Sequence, residues 1–269
     1  MKRGCVLGYD INEKGCQISY YDDSMEEPDT MMASSNNYLI PLVLGYFKDR
    51  WVFGKEAKRL AVVGEDCTET DLYGKAKRRE KVSLAGKTYD AVWLLAKYIS
   101  LTLQDFENIQ YLTFTTPETD VDMAKMLKGI GQHIGVDKEI ISVQDYKESF
   151  CQYMIFQPKE LWQYESALFY CDEDRIKAYM LRRLRVDASH GMNSFVTVDE
   201  VANAQRKELE ALYPIMNKEK SPDESFKSMI ENVFEKKVIS SVYLTGEGFE
   251  KNWYPNSLRV LCNGRRAFM

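Results

Sequence analysis

The stretch Val6-Leu7-Gly8-Tyr9-Asp10-Ile11-Asn12-Glu13-Lys14-Gly15-Cys16-Gln17-Ile18-Ser19-Tyr20-Tyr21 decides how the rest of the chain is read. A largely apolar run ends in Asp10. A polar turn follows at Asn12 to Gly15, and Cys16, Ile18 and Tyr20 then alternate with polar neighbours. This pattern predicts a buried strand, a turn with an acid at its rim, and a return strand. A carboxylate held there beside backbone N–H groups is one way to hold Mg²⁺ and a nucleotide phosphate. Taken alone, the stretch reads as a first β-hairpin with a solvated Asp.

Composition narrows the possibilities around it. A chain of 269 residues with 45% hydrophobic and 12% aromatic residues has ample material for one large α/β domain or two closely packed ones. The net charge of −5 gives no general reason to bind nucleic acid or an acidic membrane. Six cysteines lie far apart with no C-x-x-C pair, and the histidines are only His133 and His190, so neither a zinc site nor a disulfide framework is indicated. Buried free thiols, no apolar leader and no run of membrane-spanning length predict a soluble cytoplasmic protein without membrane insertion.

Along the chain, strand and helix signals alternate. Tyr38 to Phe47 and Trp51 to Gly54 are β-prone, and Lys55 to Val63 has a short amphipathic pattern. Gly86-Lys87-Thr88 tempts a P-loop reading, but the motif needs a glycine where Lys81 stands, so a hairpin turn is the better account. Asp90 opens a helix with Ala91, Leu94, Leu95, Tyr98 and Leu101 inward. Ile109 to Thr115 reads as a strand, and Asp120 caps a helix that Gly135 ends. Asp145, after a strand from Glu139 to Val143, can cap a helix to about Ile155. Ser166 to Cys171 and Arg175 to Val186 read as strands. A helix is expected near Asp199 to Tyr213, burying Ala202, Leu209, Leu212 and Tyr213, and another after a Ser221-Pro222-Asp223-Glu224 capping box. A last strand enters a Gly246-Glu247-Gly248 turn, and a short apolar run, Ser257 to Leu261, follows.

Several of these stretches, in this order, resemble the ATPase domain shared by actin, sugar kinases and heat-shock chaperones. Gly8-Tyr9-Asp10-Ile11-Asn12 is similar to the first phosphate motif, Gly-Ile-Asp-x-Gly. Leu39 to Leu44 with Val52 to Arg59, and Val82 to Tyr98, resemble the chaperone stretches that follow it. Tyr111 to Pro117, Ile140 to Tyr153 and Val242 to Gly248 resemble the later strand, connecting and adenosine motifs. The resemblance implies a two-lobed actin-like (ribonuclease-H-like) α/β fold with mixed sheets. The first lobe would be 1–155, with a small peripheral subdomain at about 38–90. The second, 156–269, would be reduced and would lack the last family helix.

The same resemblance implies ATP or ADP with Mg²⁺ as ligand. Gly8, Asp10, Asn12, Glu13, Lys14, Gly246, Glu247 and Gly248 would contact the nucleotide, and Asp10 and Asp172 would hold the metal. Asp10, Asp145 and Asp172 would be catalytic in an active enzyme, with Lys14 offering charge to the phosphates. The chain departs from the pattern in two places that matter chemically. Asn12 replaces the glycine of the first phosphate loop, and Asp172-Glu173-Asp174-Arg175-Ile176 stands where a glycine-rich second phosphate motif belongs. The expected function is therefore a degenerate nucleotide-binding domain acting as a binding or regulatory module with a protein partner, and with weak or no hydrolysis. The alternative is an active Mg²⁺-dependent ATPase. A polyanion-binding role for Lys75–Lys81 or Arg182–Arg185 is disfavoured because acids alternate with these basic residues.

Overall fold

Strand β1 (Cys5–Ile11) is the centre of the first sheet, and its alternation sets the core. Cys5, Leu7, Tyr9 and Ile11 are fully buried, while Val6 on the other face is exposed. β2 (Gly15–Tyr21) returns antiparallel to β1, and β3 (Asp29–Thr30) continues the meander. Computed as a structural model, the chain is described for residues 4–34, 37–63, 67–172, 175–188, 191–205, 222–250 and 253–269. It divides into two units, Met1–Tyr146 and Lys147–Met269.

In the first unit a small elaboration follows β3. It comprises β4 (Ile40–Pro41), β5 (Leu44–Phe47), β6 (Arg50–Phe53), α1 (Gly54–Val63), β7 (Thr68–Glu69), α2 (Leu72–Lys77) and the hairpin β8 (Lys81–Leu84) and β9 (Lys87–Asp90). The hairpin turns at Ala85-Gly86, the site of the rejected P-loop. α3 (Ala91–Thr102) begins where the Asp90 carboxylate accepts from the Val92 and Trp93 N–H groups at 2.8 and 3.3 Å. It buries Leu94, Leu95, Tyr98 and Ile99 in the same core as β1, and the Tyr9 hydroxyl meets Thr102 at 2.8 Å.

β10 (Ile109–Thr116) pairs parallel with β1. α4 (Val121–His133) is capped by Asp120, whose carboxylate accepts from Met123 N–H at 2.7 Å. β11 (Ile141–Asp145) pairs parallel with β10. The resulting order is β11-β10-β1-β2-β3.

α5 (Tyr146–Ile155) leads into the second unit. The expected boundary after residue 155 moves back to Tyr146/Lys147. The reason is packing: Phe150 and Tyr153 of α5 lie edge-on to Tyr243, at 5.6 and 5.8 Å between ring centroids. β12 (Glu165–Cys171) is the buried central strand, paired antiparallel with β13 (Arg175–Ala188), which pairs with β14 (Gly191–Gln205).

The helix expected near Asp199 is a correction: Asp199 to Gln205 is strand. The segment has good helix formers, but Ile176 and Ala178 of β13 pair with Ala204 and Ala202, and ladder pairing overrides local propensity. Leu209, Leu212, Tyr213 and the Ser221 cap lie outside the described residues. α6 (Pro222–Phe234) and β15 (Ile239–Thr245) follow, with β15 parallel to β12. Beyond the Gly246 turn the chain forms α7 (Pro255–Cys262), which contains the apolar run at Ser257 to Leu261, and β16 (Arg266–Phe268).

The second sheet has the order β14-β13-β12-β15-β16. Both units therefore use one topology: a three-stranded antiparallel meander, continued beyond its first strand by two successive parallel strands. The architecture is mixed α/β.

The second core is held by Phe226 of α6, fully buried and edge-on to Phe169 at 5.5 Å. α7 has Pro255 in its first turn and no side-chain cap of its own. Asp223 of α6 supplies one from outside. Its carboxylate accepts from the Asn256 and Ser257 N–H groups at 2.8 Å each, and from the Ser257 hydroxyl at 2.6 Å. Burial acts to raise the Asp223 carboxyl, but these donors outweigh it and hold the group below its ordinary value. The folded state thus favours the charged form, and the stabilisation is complete above the unfolded value and lost as pH falls through the folded one. Asp223→Ala is expected to cost about 1–3 kcal/mol at neutral pH by urea unfolding, with little further loss on acidification compared with the parent chain.

Candidate functional site

The parallel strands β1, β10 and β11 bring their C-terminal ends into register, with Asp10 beside Thr115 and Thr116 beside Asp145. This is the edge at which open α/β sheets present ligand-binding groups. Asp10 closes β1, and the hydroxyl of Tyr146, the first residue of α5, donates to its two carboxylate oxygens at 3.0 and 3.3 Å. Burial pushes the Asp10 carboxyl up from 3.8 to about 6, opposed by the Tyr146 hydroxyl and the Ile11 N–H. The reach of Tyr146 across β10 to Asp10 has no local signal in the sequence.

More acid surrounds this edge. The buried Tyr73 hydroxyl is pushed above its usual range, first by burial and then by the charges of Glu13, Asp10, Glu118 and Asp120. Tyr73 lies on α2, a six-residue helix.

The turn from Asn12 to Gly15 is closed on itself. The Asn12 side-chain carbonyl accepts from Lys14 N–H at 2.9 Å and Gly15 N–H at 3.2 Å, and Asn12 N–H donates to the Gly15 carbonyl at 3.0 Å. Gly15 is demanded by packing, since a Cβ there would lie 2.5 Å from the Ile40 carbonyl oxygen. Gly8, by contrast, sits within β1 with room for a methyl group, 3.8 Å from Ser19 Cβ. A phosphate cradle needs backbone donors left pointing outward. Two of this turn's donors are taken by a side chain, and carboxylates dominate the surroundings. These residues do not fit a phosphate in the way the glycine-containing loop would.

In the second unit, Asp172, Gly246, Glu247 and Gly248 come together. Gly246 has φ of +95°, and a Cβ on it would lie 2.2 Å from the Cys171 carbonyl oxygen; one on Gly248 would lie 2.3 Å from Cys171 Sγ. The two glycines let one backbone segment pack directly on another, with Cys171 filling the space beside them. Asp172 accepts from Arg175 N–H at 2.7 Å, closing the β12–β13 turn. Glu173 and Asp174 lie outside the described residues.

The predicted site residues thus form two groups, Gly8, Asp10, Asn12, Glu13, Lys14 and Asp145 in the first unit and Asp172, Gly246, Glu247 and Gly248 in the second. Among the described residues no three His, Cys, Asp or Glu side chains are grouped to hold a metal ion, and no helix is long and apolar enough to cross a membrane. Within the basic clusters Lys75 pairs with Glu69 at 2.8 Å, Arg78 with Asp71 and Glu80 at 2.9 and 2.6 Å, and Arg182 with Glu165 and Asp199 at 3.2 and 3.7 Å.

Because the Asp10 carboxyl titrates higher in the folded chain than in the unfolded one, the folded state binds more protons between about pH 4 and pH 6. Its burial therefore destabilises the protein progressively as pH rises through that window, and fully above it. Asp10→Asn keeps an acceptor for Tyr146 and removes the charge. It should stabilise the chain by about 1–3 kcal/mol near pH 7 and by almost nothing near pH 4, as read from urea unfolding at both.

A comparison with curated proteins finds no match. A family model, described as the C-terminal part of a family of unknown function (DUF5716), matches residues 27–269, a span that takes in most of the first unit and all of the second. The chain belongs to the DUF5716 family, in its C-terminal region.

Proposed function

We propose that this chain is a degenerate member of the actin, sugar-kinase and heat-shock chaperone superfamily, acting as a binding or regulatory module with weak or no ATP hydrolysis. The two-lobed architecture implied by the order of its motifs is supported by the recurrence of one mixed-sheet topology in both units. The observation that carries the functional reading is the Asn12 side chain, which takes the Lys14 and Gly15 N–H groups that a nucleotide phosphate would need. The acids around Tyr73 point the same way, because an incoming phosphate would meet repulsion from Asp10, Glu13, Glu118 and Asp120.

In this reading the frame of a nucleotide-binding domain is retained and its chemistry is lost. Asp10 keeps its place at the end of β1 as a buried carboxyl held by Tyr146. The glycines at 246 and 248 serve backbone packing against Cys171.

Titration calorimetry with ATP and Mg²⁺, paired with a phosphate-release assay, tests the proposal. The expected result is binding no tighter than about 0.1 mM and no release above background, unchanged by Asp10→Ala. Micromolar binding with turnover that Asp10→Ala abolishes would instead indicate a Mg²⁺-dependent ATPase using Asp10, Asp145 and Asp172.

A further inference from the structure

A pocket of about 300 Å³ opens in the first unit where the inward row of β2 runs out, between Tyr20 and the chain that follows β3. We infer that it binds a quaternary ammonium ion, a small organic cation of the choline type. Its floor is apolar because Tyr20 continues the row of Cys16 and Ile18 past the edge of the core. Phe106, just beyond α3, is buried there with its ring 5.6 Å from that of Tyr20, and Met31 packs against the same core. Met32 and Tyr38 form the rim, 62% and 45% exposed. The backbone holds these walls in place. Met31 N–H donates to the Ile18 carbonyl at 2.8 Å, and Asn37 brackets Tyr38: its carbonyl accepts from Ala33 N–H at 2.8 Å and its side chain from Leu39 N–H at 2.9 Å. The volume lies at the small end of ligand pockets, which suits a ligand of a few carbon atoms.

Charge decides the kind of ligand. The lining carries two carboxylates, Asp29 and Asp105, and no Lys, Arg or His. The sequence has no basic residue from Cys16 to Phe47 or from Tyr98 to Ala124, the two stretches that build the pocket, while Asp22, Asp23, Glu26 and Glu27 lead into Asp29. The field there repels anions and attracts cations. Hydrogen bonding then narrows the choice. Asp29 already accepts from the Tyr20 hydroxyl at 2.8 Å and from Thr30 N–H at 2.7 Å, so its charge stays at the rim while part of its accepting capacity is taken. Asp105, also exposed, makes no hydrogen bond or ion pair among the described residues and adds a second charge. A quaternary ammonium has no N–H to satisfy and is more weakly hydrated than a primary ammonium. Its methyl groups meet aromatic rings and thioethers favourably. A carboxylate on the ligand would be repelled by both acids, so a monocation is preferred to a zwitterion. The pocket uses no residue of the Asp10 turn, and the proposal is independent of whether that turn holds a nucleotide.

The probe is choline, titrated into the full chain isotope-labelled at its methionine methyl groups and followed by NMR, with Met31→Leu and Met32→Leu assigning the two signals. Both signals should move saturably. The neutral isostere, in which a tert-butyl group replaces the trimethylammonium, should bind at least about tenfold more weakly, and so should glycine betaine. Tyr38→Leu, which keeps an apolar side chain and removes the ring, and Asp105→Lys, which inverts a charge, should each weaken choline binding about threefold or more. Tyr38→Phe, which keeps the ring, should bind as the parent does. Tyr38 and Asp105 are exposed, so all these variants should melt with the parent chain. Absence of saturable shifts, equal binding of the neutral isostere, or unchanged binding by Tyr38→Leu and Asp105→Lys would overturn the proposal. So would tighter binding of methylammonium than of choline, because the carboxylates and not the rings would then select the cation.

Discussion

The turn after β1 has to reverse a strand with one fully buried face within four residues while leaving Asp10 at its rim, and Asn12 is what closes it. Its side-chain carbonyl gathers the Lys14 and Gly15 N–H groups, so β2 can leave in register with Ile11 opposite Cys16. That register places Cys16 and Ile18 on the core side, where Cys16 Sγ meets the Tyr98 hydroxyl of α3 at 3.5 Å. A one-residue slip would turn Cys16 and Ile18 to the other face. The interaction that sets the sheet is therefore also the one that removes the donors a phosphate would need.

Electrostatics follow from the same geometry. Asp10 ends a buried strand and is desolvated by the structure around it; its one hydroxyl partner comes from Tyr146, two strands away. Desolvation outweighs that hydrogen bond, which is why the carboxyl is raised and not lowered. Asp223 shows the opposite balance. It is also buried, but three donors converge on it and the charged form prevails. The first arrangement stores a destabilised acid at the end of a sheet, while the second ties α7 to α6.

Much of the fold was legible because short-range rules govern it. The first hairpin, the α3 and α4 helices and their Asp90 and Asp120 caps follow from periodicity and capping chemistry. The errors fell where long-range pairing decides. Val198 to Gln205 carries helix formers, yet a strand partner claims it. α2 is too short for its stripe to show, and the repeat of one sheet order in two units is a property of pairing that no motif records. For the candidate site, sequence identified Asp10 as the match to a phosphate loop and Asn12 as the departure from it, but not the direction in which Asn12 turns its side chain. The contact of Tyr146 with Asp10 depends on tertiary placement.

The proposed loss of phosphate binding rests on the Asn12 side chain, which holds the Lys14 and Gly15 N–H groups within the β1–β2 turn. The backbone amides of Lys14 and Gly15 report on this most directly. In a two-dimensional amide NMR spectrum, both signals should stay in place as ADP and Mg²⁺ are added to the full chain, because Asn12 already occupies them. Large, saturable shifts of these two signals would mean that a phosphate displaces the Asn12 side chain, and would contradict the account.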